Sequence, residues 1–237
     1  MPMLRILACL FMLAALPALA DGAQYEVRVD KVERAGGGYK ASVAYPQLSG
    51  LAASVAESFN TRAKDQAEQQ ARAFVTEVQE VRKDMPPEQA AIELSLTTQV
   101  ETKHVSSHLV ALLVTGYEFL GGAHGQPLYE TVALDAADGR DLEIQDMFKP
   151  HASWVQAVSK SAIAQLGRRA KELDTTADWI RTGAGPDVKN FQVFWPGEDG
   201  LHFLFPNYSV APYSAGAPEV VVPYSTLHGM LNDRYFH

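Results

Sequence analysis

The run Leu109-Val110-Ala111-Leu112-Leu113-Val114-Thr115-Gly116-Tyr117-Glu118-Phe119-Leu120 leads directly into Gly121-Gly122-Ala123-His124-Gly125. Its apolar side chains occupy both parities. In an extended chain Leu109, Ala111 and Leu113 point one way, and Val110, Leu112 and Val114 point the other. A strand that is apolar on both faces is covered on both faces, so this one is expected in the middle of the layers. The glycine-rich stretch turns the chain. Leu128, Glu130, Val132 and Leu134 then resume a period of two that stops at Asp138-Gly139.

Upstream, Ile92, Leu94, Leu96, Thr98 and Val100 alternate with polar residues, the pattern of a half-exposed strand, and Val105-Ser106-Ser107 turns it into the central run. Nearer the start, Tyr25, Val27 and Val29 alternate on one side of Gly36-Gly37-Gly38, and Tyr39, Ala41, Val43 and Tyr45 on the other. This is a hairpin with one wet face, whose second strand is expected to end at Pro46, which has no amide hydrogen to donate. From Ser49 to Arg82 there is no proline. Leu51, Val55, Phe59, Ala63, Ala67, Ala71, Phe74 and Val78 recur at spacings of three and four, which predicts one long amphipathic helix capped by Ser49 and broken over residues 84–87.

Downstream, residues 146–148 predict a short helical turn. Trp154, Val158, Ala162, Leu166 and Ala170 predict a second amphipathic helix ending near Leu173, and residues 176–181 a short third one. Phe191, Val193 and Trp195, the turn at residues 196–200, and Leu201, Phe203 and Phe205 form another hairpin. An irregular loop over residues 207–219 precedes Val220-Val221-Val222 and a final helix capped by Ser225. The fold class is therefore α+β, a mainly antiparallel sheet packed with one long N-terminal helix and a second mid-chain helix. A weak boundary near residues 84–91 divides a hairpin-and-helix part, 21–90, from an α+β part, 91–237, the two expected to pack as one body.

Residues 1–20 have the form of a secretory signal peptide: Arg5, an apolar run from Ile6 to Leu16, and the small-residue pattern Ala18-Leu19-Ala20. The run is well short of the ~20 residues that span a bilayer, and no later stretch approaches that length. Cys9 lies inside this leader, so the exported chain is expected to be free of thiols and held together by its core. The periplasm is the expected location, with full secretion as the alternative. The formal charge is −8, and loss of the leader, whose one charged residue is Arg5, makes it one unit more negative. Such a surface argues against nucleic acid or anionic lipid as partner and favours a cationic one.

Familiar catalytic constellations are missing. There is no Gly-x-Ser-x-Gly elbow, no His-Glu-x-x-His, no phosphate-binding glycine loop and no thiol nucleophile. His104 and His108 are about 13 Å apart in a strand at ~3.3 Å per residue, too far to share a metal, and are expected to be exposed turn residues. Neither a metal nor a cofactor is expected. His124 has two readings. Gly121, Gly122 and Gly125 let backbone approach a ligand beside an imidazole suited to acid-base work, or they supply turn dihedrals while His124 fixes the loop. Tyr208, Tyr213 and Tyr224, among Pro206, Pro212, Pro218 and Pro223, likewise form either an aromatic platform for a sugar or protein or the pins of a long loop. Gly121, Gly122, His124, Tyr208 and Tyr213 are the candidate binding residues.

The ordered series Tyr45-Pro46-Gln47 before a long helix, Gly121 to Gly125, Leu142 to Phe148, Asp199-Gly200-Leu201-His202-Phe203 with Phe205, Val210-Ala211-Pro212-Tyr213, Gly216, and Glu219 to Tyr224 resembles the RsiV-like C-terminal domain family (domain of unknown function 3298) with its N-terminal hairpin-helix region. The resemblance spans nearly all of the chain after its leader. It implies an extracytoplasmic α+β sensing or binding domain, of the kind that binds lysozyme in an anti-sigma factor and that also stands beside a peptidoglycan deacetylase domain. It carries over neither the transmembrane and sigma-binding segments nor the deacetylase catalytic domain. The functional expectation is an exported, non-catalytic envelope binding protein with a cationic, lysozyme-like partner. The alternative is a cell-wall glycan-binding or glycan-modifying protein.

Overall fold

The computed structural model describes residues 25–236; the expected signal peptide, with Cys9, lies outside the described residues. Five strands, β1 (Glu26–Gly36), β2 (Tyr39–Ser49), β3 (Leu94–Val105), β4 (Leu109–Phe119) and β5 (Gln126–Asp135), lie side by side in chain order. The helix α1 (Ala53–Asp84) crosses between β2 and β3, which makes that pair parallel. The remaining neighbours are antiparallel hairpins. A smaller antiparallel sheet, β6 (Phe194–Pro196), β7 (Gly200–Leu204) and β8 (Glu219–Pro223), follows the helices α2 (Trp154–Arg168) and α3 (Ala177–Gly183).

The doubly apolar run is β4, and each of its faces enters a different core. Val110 and Leu112 join Leu48, Phe59, Ala63 and Leu134 beneath α1. Leu109, Ala111 and Leu113 join α2, through Val158, Ala162 and Leu166, and the second sheet, through Leu201, Phe203 and Val222. One hydroxyl ties the two sheets together: Thr131 Oγ1 accepts from the Phe194 amide at 2.7 Å and donates to the Phe194 carbonyl at 2.8 Å.

Several boundaries depart from the periodicity. β2 does not end at Pro46, which pairs with Val29 and lies inside the strand. The amides of Ala44 and Leu48, two residues to either side, face away from β1 and find the side chains of Thr98 (2.8 Å) and Asn60 (2.7 Å). Pro46 thus presents its missing hydrogen on a side where the β2–β3 ladder, which covers Tyr39 to Ser42, has already stopped. Ser49 is consequently the last residue of β2 and caps nothing. The helix begins at Ala53, and its N-cap, Ala52, makes no side-chain hydrogen bond.

Helix α2 ends at Arg168, short of Leu173, and turns lead to a chain reversal fixed by Thr175, whose hydroxyl donates to the Val210 carbonyl at 2.6 Å. Phe191 belongs to a 3₁₀ turn, and β6 starts at Phe194. The expected C-terminal helix is a single 3₁₀ turn, Tyr224–Leu227. Gly229 at φ 75° and the Phe148–Leu231 bridge draw the chain away from helical geometry.

Candidate functional site

The loop after β4 is organised around Gly125. Its amide donates to Tyr117 Oη at 2.6 Å, and its carbonyl accepts from Tyr213 Oη at 3.2 Å and from His124 Nδ1 at 2.9 Å. A carbonyl only accepts, so Nδ1 carries the proton, and in the neutral ring Nε2 is the acceptor. A β-carbon at position 125 would overlap the Glu118 carbonyl and the Tyr117 ring, so this close approach admits only glycine. The His124 and Tyr213 rings stack at 4.1 Å and 26°, and Tyr208 lies 5.8 Å beyond Tyr213.

The irregular loop is held in place by its own polar contacts. Tyr129 Oη donates to Asn207 Oδ1 at 3.1 Å, Asn207 Nδ2 donates to the Tyr213 carbonyl at 3.1 Å, and Trp179 Nε1 donates to the Tyr208 carbonyl at 3.0 Å. Tyr208 itself adopts φ 69°. Loss of hydration and the neighbouring Tyr117 hydroxyl raise the Tyr213 hydroxyl above its ordinary pKa. The result is a ridge of rings in which Tyr117 and Tyr208 stay 41% and 51% exposed. Such a ridge offers apolar faces and hydroxyl edges to a ligand, and its geometry is set before anything binds.

Of the sequence candidates, the structure brings His124, Tyr208 and Tyr213 together and leaves Gly121 and Gly122 apart. Both glycines have φ 94°, and they line a hollow of 310 Å³ with Met85, Leu120 and the end of α1. Tyr224 is also elsewhere: half-buried against Phe236, it donates to the Gly197 carbonyl at 2.7 Å, and its hydroxyl is pushed up to about 12, first by burial and then by Asp199. Tyr117 was hidden in the apolar run. The signal that marks it is a tyrosine near the end of a strand that begins with the aliphatic Leu109, Ala111 and Leu113 at the same parity.

His104 and His108 are half-buried, not exposed. The ladder shifts register at Lys103, so that Thr102 opposes Leu112 but His104 opposes Ala111, on the face of the second-sheet core. Burial there lowers the His104 pKa, and its Nε2 has no hydrogen-bond partner. Among the described residues no group of three or more His, Cys, Asp or Glu is placed to hold a metal ion.

A second imidazole, which the sequence reading did not single out, is the one flanked by acids. His202 Nε2 lies 2.8 Å from Asp199 Oδ1 and Nδ1 lies 2.6 Å from Glu219 Oε1, while the ring stacks on Trp195 at 5.3 Å and 23°. A β-carbon at Gly197 would overlap the same ring. Hydrogen bonding to His202 holds the Asp199 carboxyl below its usual range. These contacts join the β6–β7 turn to β8. The spacing of Asp199 and His202 across a hairpin turn is the signal that could have found them.

Two family models match adjoining parts of the chain: residues 37–126 match the family described as deacetylase PdaC, and residues 145–225 match a protein family of unknown function, DUF3298. Peptidoglycan-N-acetylmuramic acid deacetylase PdaC of Bacillus subtilis is 27% identical over 179 residues, 76% of this chain and 37% of that protein. Immunogenic protein MPT64 of Mycobacterium tuberculosis is 24% identical over 146 residues, 61% of this chain and 62% of that protein. The chain thus spans less than two thirds of the length of either relative. Crystal structures of DUF3298-family proteins from Bacteroides fragilis (TM-score 0.65, 18% identity, 90% of this chain and 95% of that one) and Pseudomonas aeruginosa (TM-score 0.56, 18% identity, 91% and 97%) share the fold.

Proposed function

We propose that this chain is a non-catalytic, extracytoplasmic, cell-wall-associated binding module that holds peptidoglycan glycan against the ring ridge of Tyr117, His124, Tyr208 and Tyr213. The observation that carries the reading is the His124–Tyr213 stack at 4.1 Å, locked through Gly125 and bordered by two exposed tyrosine faces. Sugar rings present apolar faces and hydroxyl rims, and a preorganised aromatic surface meets both at little entropic cost. The likeness to a peptidoglycan deacetylase supports the choice of polymer and the wall-facing location. At the ridge a binding role is favoured because its imidazole, His124, is hydrogen-bonded to a backbone carbonyl.

The test is cosedimentation with purified sacculi. Tyr208→Ala is expected to weaken retention roughly three- to tenfold, equivalent to ~0.5–1.5 kcal/mol of ring contact, with the melting temperature nearly unchanged. Equal retention of Tyr208→Ala, Tyr213→Ala and the parent would remove the reading.

The formal charge of −8 favours a second reading, in which the partner is a cationic, lysozyme-like protein, as the RsiV-like resemblance implies. Calorimetric titration with lysozyme at low and at moderate salt separates the two. Heat that shrinks with salt supports the protein partner, and absence of both heat and any change in lysozyme activity at either salt excludes it.

A further inference from the structure

The five-stranded sheet ends at β1, whose far side carries no strand among the described residues. The Ala44 and Leu48 amides face away from β1, so their ladder partners Lys31 and Val27 face away from β2. By the alternation of an antiparallel ladder, Val27, Val29, Lys31, Glu33 and Ala35 all turn N–H and C=O to that open side. Other edge positions are covered by side chains: Thr98 and Asn60 take the β2 amides, Thr131 takes Phe194 of β6, and Gln165 donates to the Val221 carbonyl of β8 at 2.7 Å. β1 instead shows Val29, 44% exposed, among charges of alternating sign.

Charges on an edge strand repel most strands that could add to it, so their order decides what the edge accepts. Asp30-Lys31-Val32-Glu33-Arg34 carries opposite signs at equal distances from Val32. When a second copy pairs antiparallel about Val32, Asp30 opposes Arg34 and Lys31 opposes Glu33, each twice by symmetry. Val29 is then covered by Ala35. The same register sets outward backbone against outward backbone, with Lys31 and Glu33 exchanging both hydrogen bonds. Moving the centre to Asp30, Lys31 or Glu33 sets that residue against its own copy, and a centre at Val29 brings only Arg28 and Asp30 together as opposite charges. Arg34 already stands at the edge: Nη1 donates to the Glu33 carbonyl at 2.9 Å and Nη2 meets Glu68 of α1. That carbonyl keeps a second lone pair for the incoming amide.

We propose that β1 is a self-recognition edge, at which two copies of this chain join antiparallel about Val32 into one continuous sheet. The contact is a single strand edge, smaller than a standard interface of ~1,600 Å², so the dimer is weak and forms as concentration rises. The inference does not depend on what the ring ridge binds.

The experiment is sedimentation velocity of the purified chain from about 5 to about 500 µM, at about 50 mM and about 500 mM salt. A reversible dimer that weakens with salt is expected. Lys31 and Glu33 are exposed and oppose the neutral Ala44 and Ser42 in β2, so reversing either charge leaves the monomer's own contacts intact. K31E or E33K alone sets like charges opposite each other twice and should weaken association roughly tenfold or more. An equimolar mixture of K31E and E33K restores opposite pairs and should associate about as tightly as the parent. Amide exchange, read on the parent without any substitution, should slow on dimerisation at Val29, Lys31, Glu33 and Ala35 and stay unchanged at Asp30 and Val32. A chain that remains monomeric throughout, single variants that associate like the parent, a mixture that fails to recover, or protection that appears elsewhere overturns the proposal.

Discussion

Asp135 has a side chain 3% exposed and carries a full charge into the protein, where it accepts from Arg234 Nε (2.6 Å) and Nη2 (2.8 Å), from Tyr235 Oη (2.9 Å) and from the Ala137 amide (3.0 Å). The Arg234 hydrogen bonds lead in lowering its pKa from 3.8 to about 2, against the opposing effect of burial. A carboxyl depressed on folding adds stability that is fully present above its unfolded value and is lost as pH falls through the folded one. Arg234 is 48% exposed, which screens the pair, so the contribution near neutrality is on the order of 1–2 kcal/mol. Asp135→Asn should therefore melt lower than the parent at pH 7, with the difference closing between about pH 4 and pH 2; a gap that persists in acid would assign the loss to packing. Thr98 is another buried polar residue with a defined partner, its hydroxyl accepting from the Ala44 amide where β2 and β3 part. Thr98→Val leaves that amide without an acceptor and should cost about 1–3 kcal/mol in chemical denaturation.

Elements meet through a few side chains that read the backbone of their neighbours. Asn60 on α1 accepts from the Leu48 amide at 2.7 Å and donates to its carbonyl at 2.9 Å, standing in for an absent strand. Asn60→Ala is expected to cost about 1–2 kcal/mol, detected as a lower urea midpoint at an unchanged slope. Gly125→Ala forces the β4–β5 loop off Tyr117 and should lower stability by roughly 1–3 kcal/mol together with sacculus retention, whereas Tyr208→Ala lowers retention alone. The layered position of β4 was legible because both parities of residues 109–114 are apolar, and α1 was legible because its buried residues repeat at helical spacing. The continuation of β2 through Pro46 was not, since it depends on which side of the strand still has a ladder. Three of the ridge residues, His124, Tyr208 and Tyr213, were legible as candidates, but their pairings were not: Tyr213 bonds to Gly125 across 88 residues of chain and Glu219 meets His202 from a neighbouring strand, and neither pairing leaves a local pattern.

For the whole molecule, β4 supplies side chains to two cores, so damage to either is expected to reach the other. Leu109→Ala on one face and Leu112→Ala on the opposite face should each cost about 2–5 kcal/mol. Each is expected to shift a single calorimetric transition without splitting it. Two separated transitions in either variant would show that the layers melt independently. The link between Asp135 and Arg234 reaches over 99 residues, from the end of β5 nearly to the last described position. Arg234 follows Asp135 in the chain by 99 residues, so the carboxylate lacks its cation until that segment docks. The large sheet is thus fastened by a distant electrostatic latch, and proteolytic loss of the segment that carries Arg234 would leave the buried carboxylate without its cation.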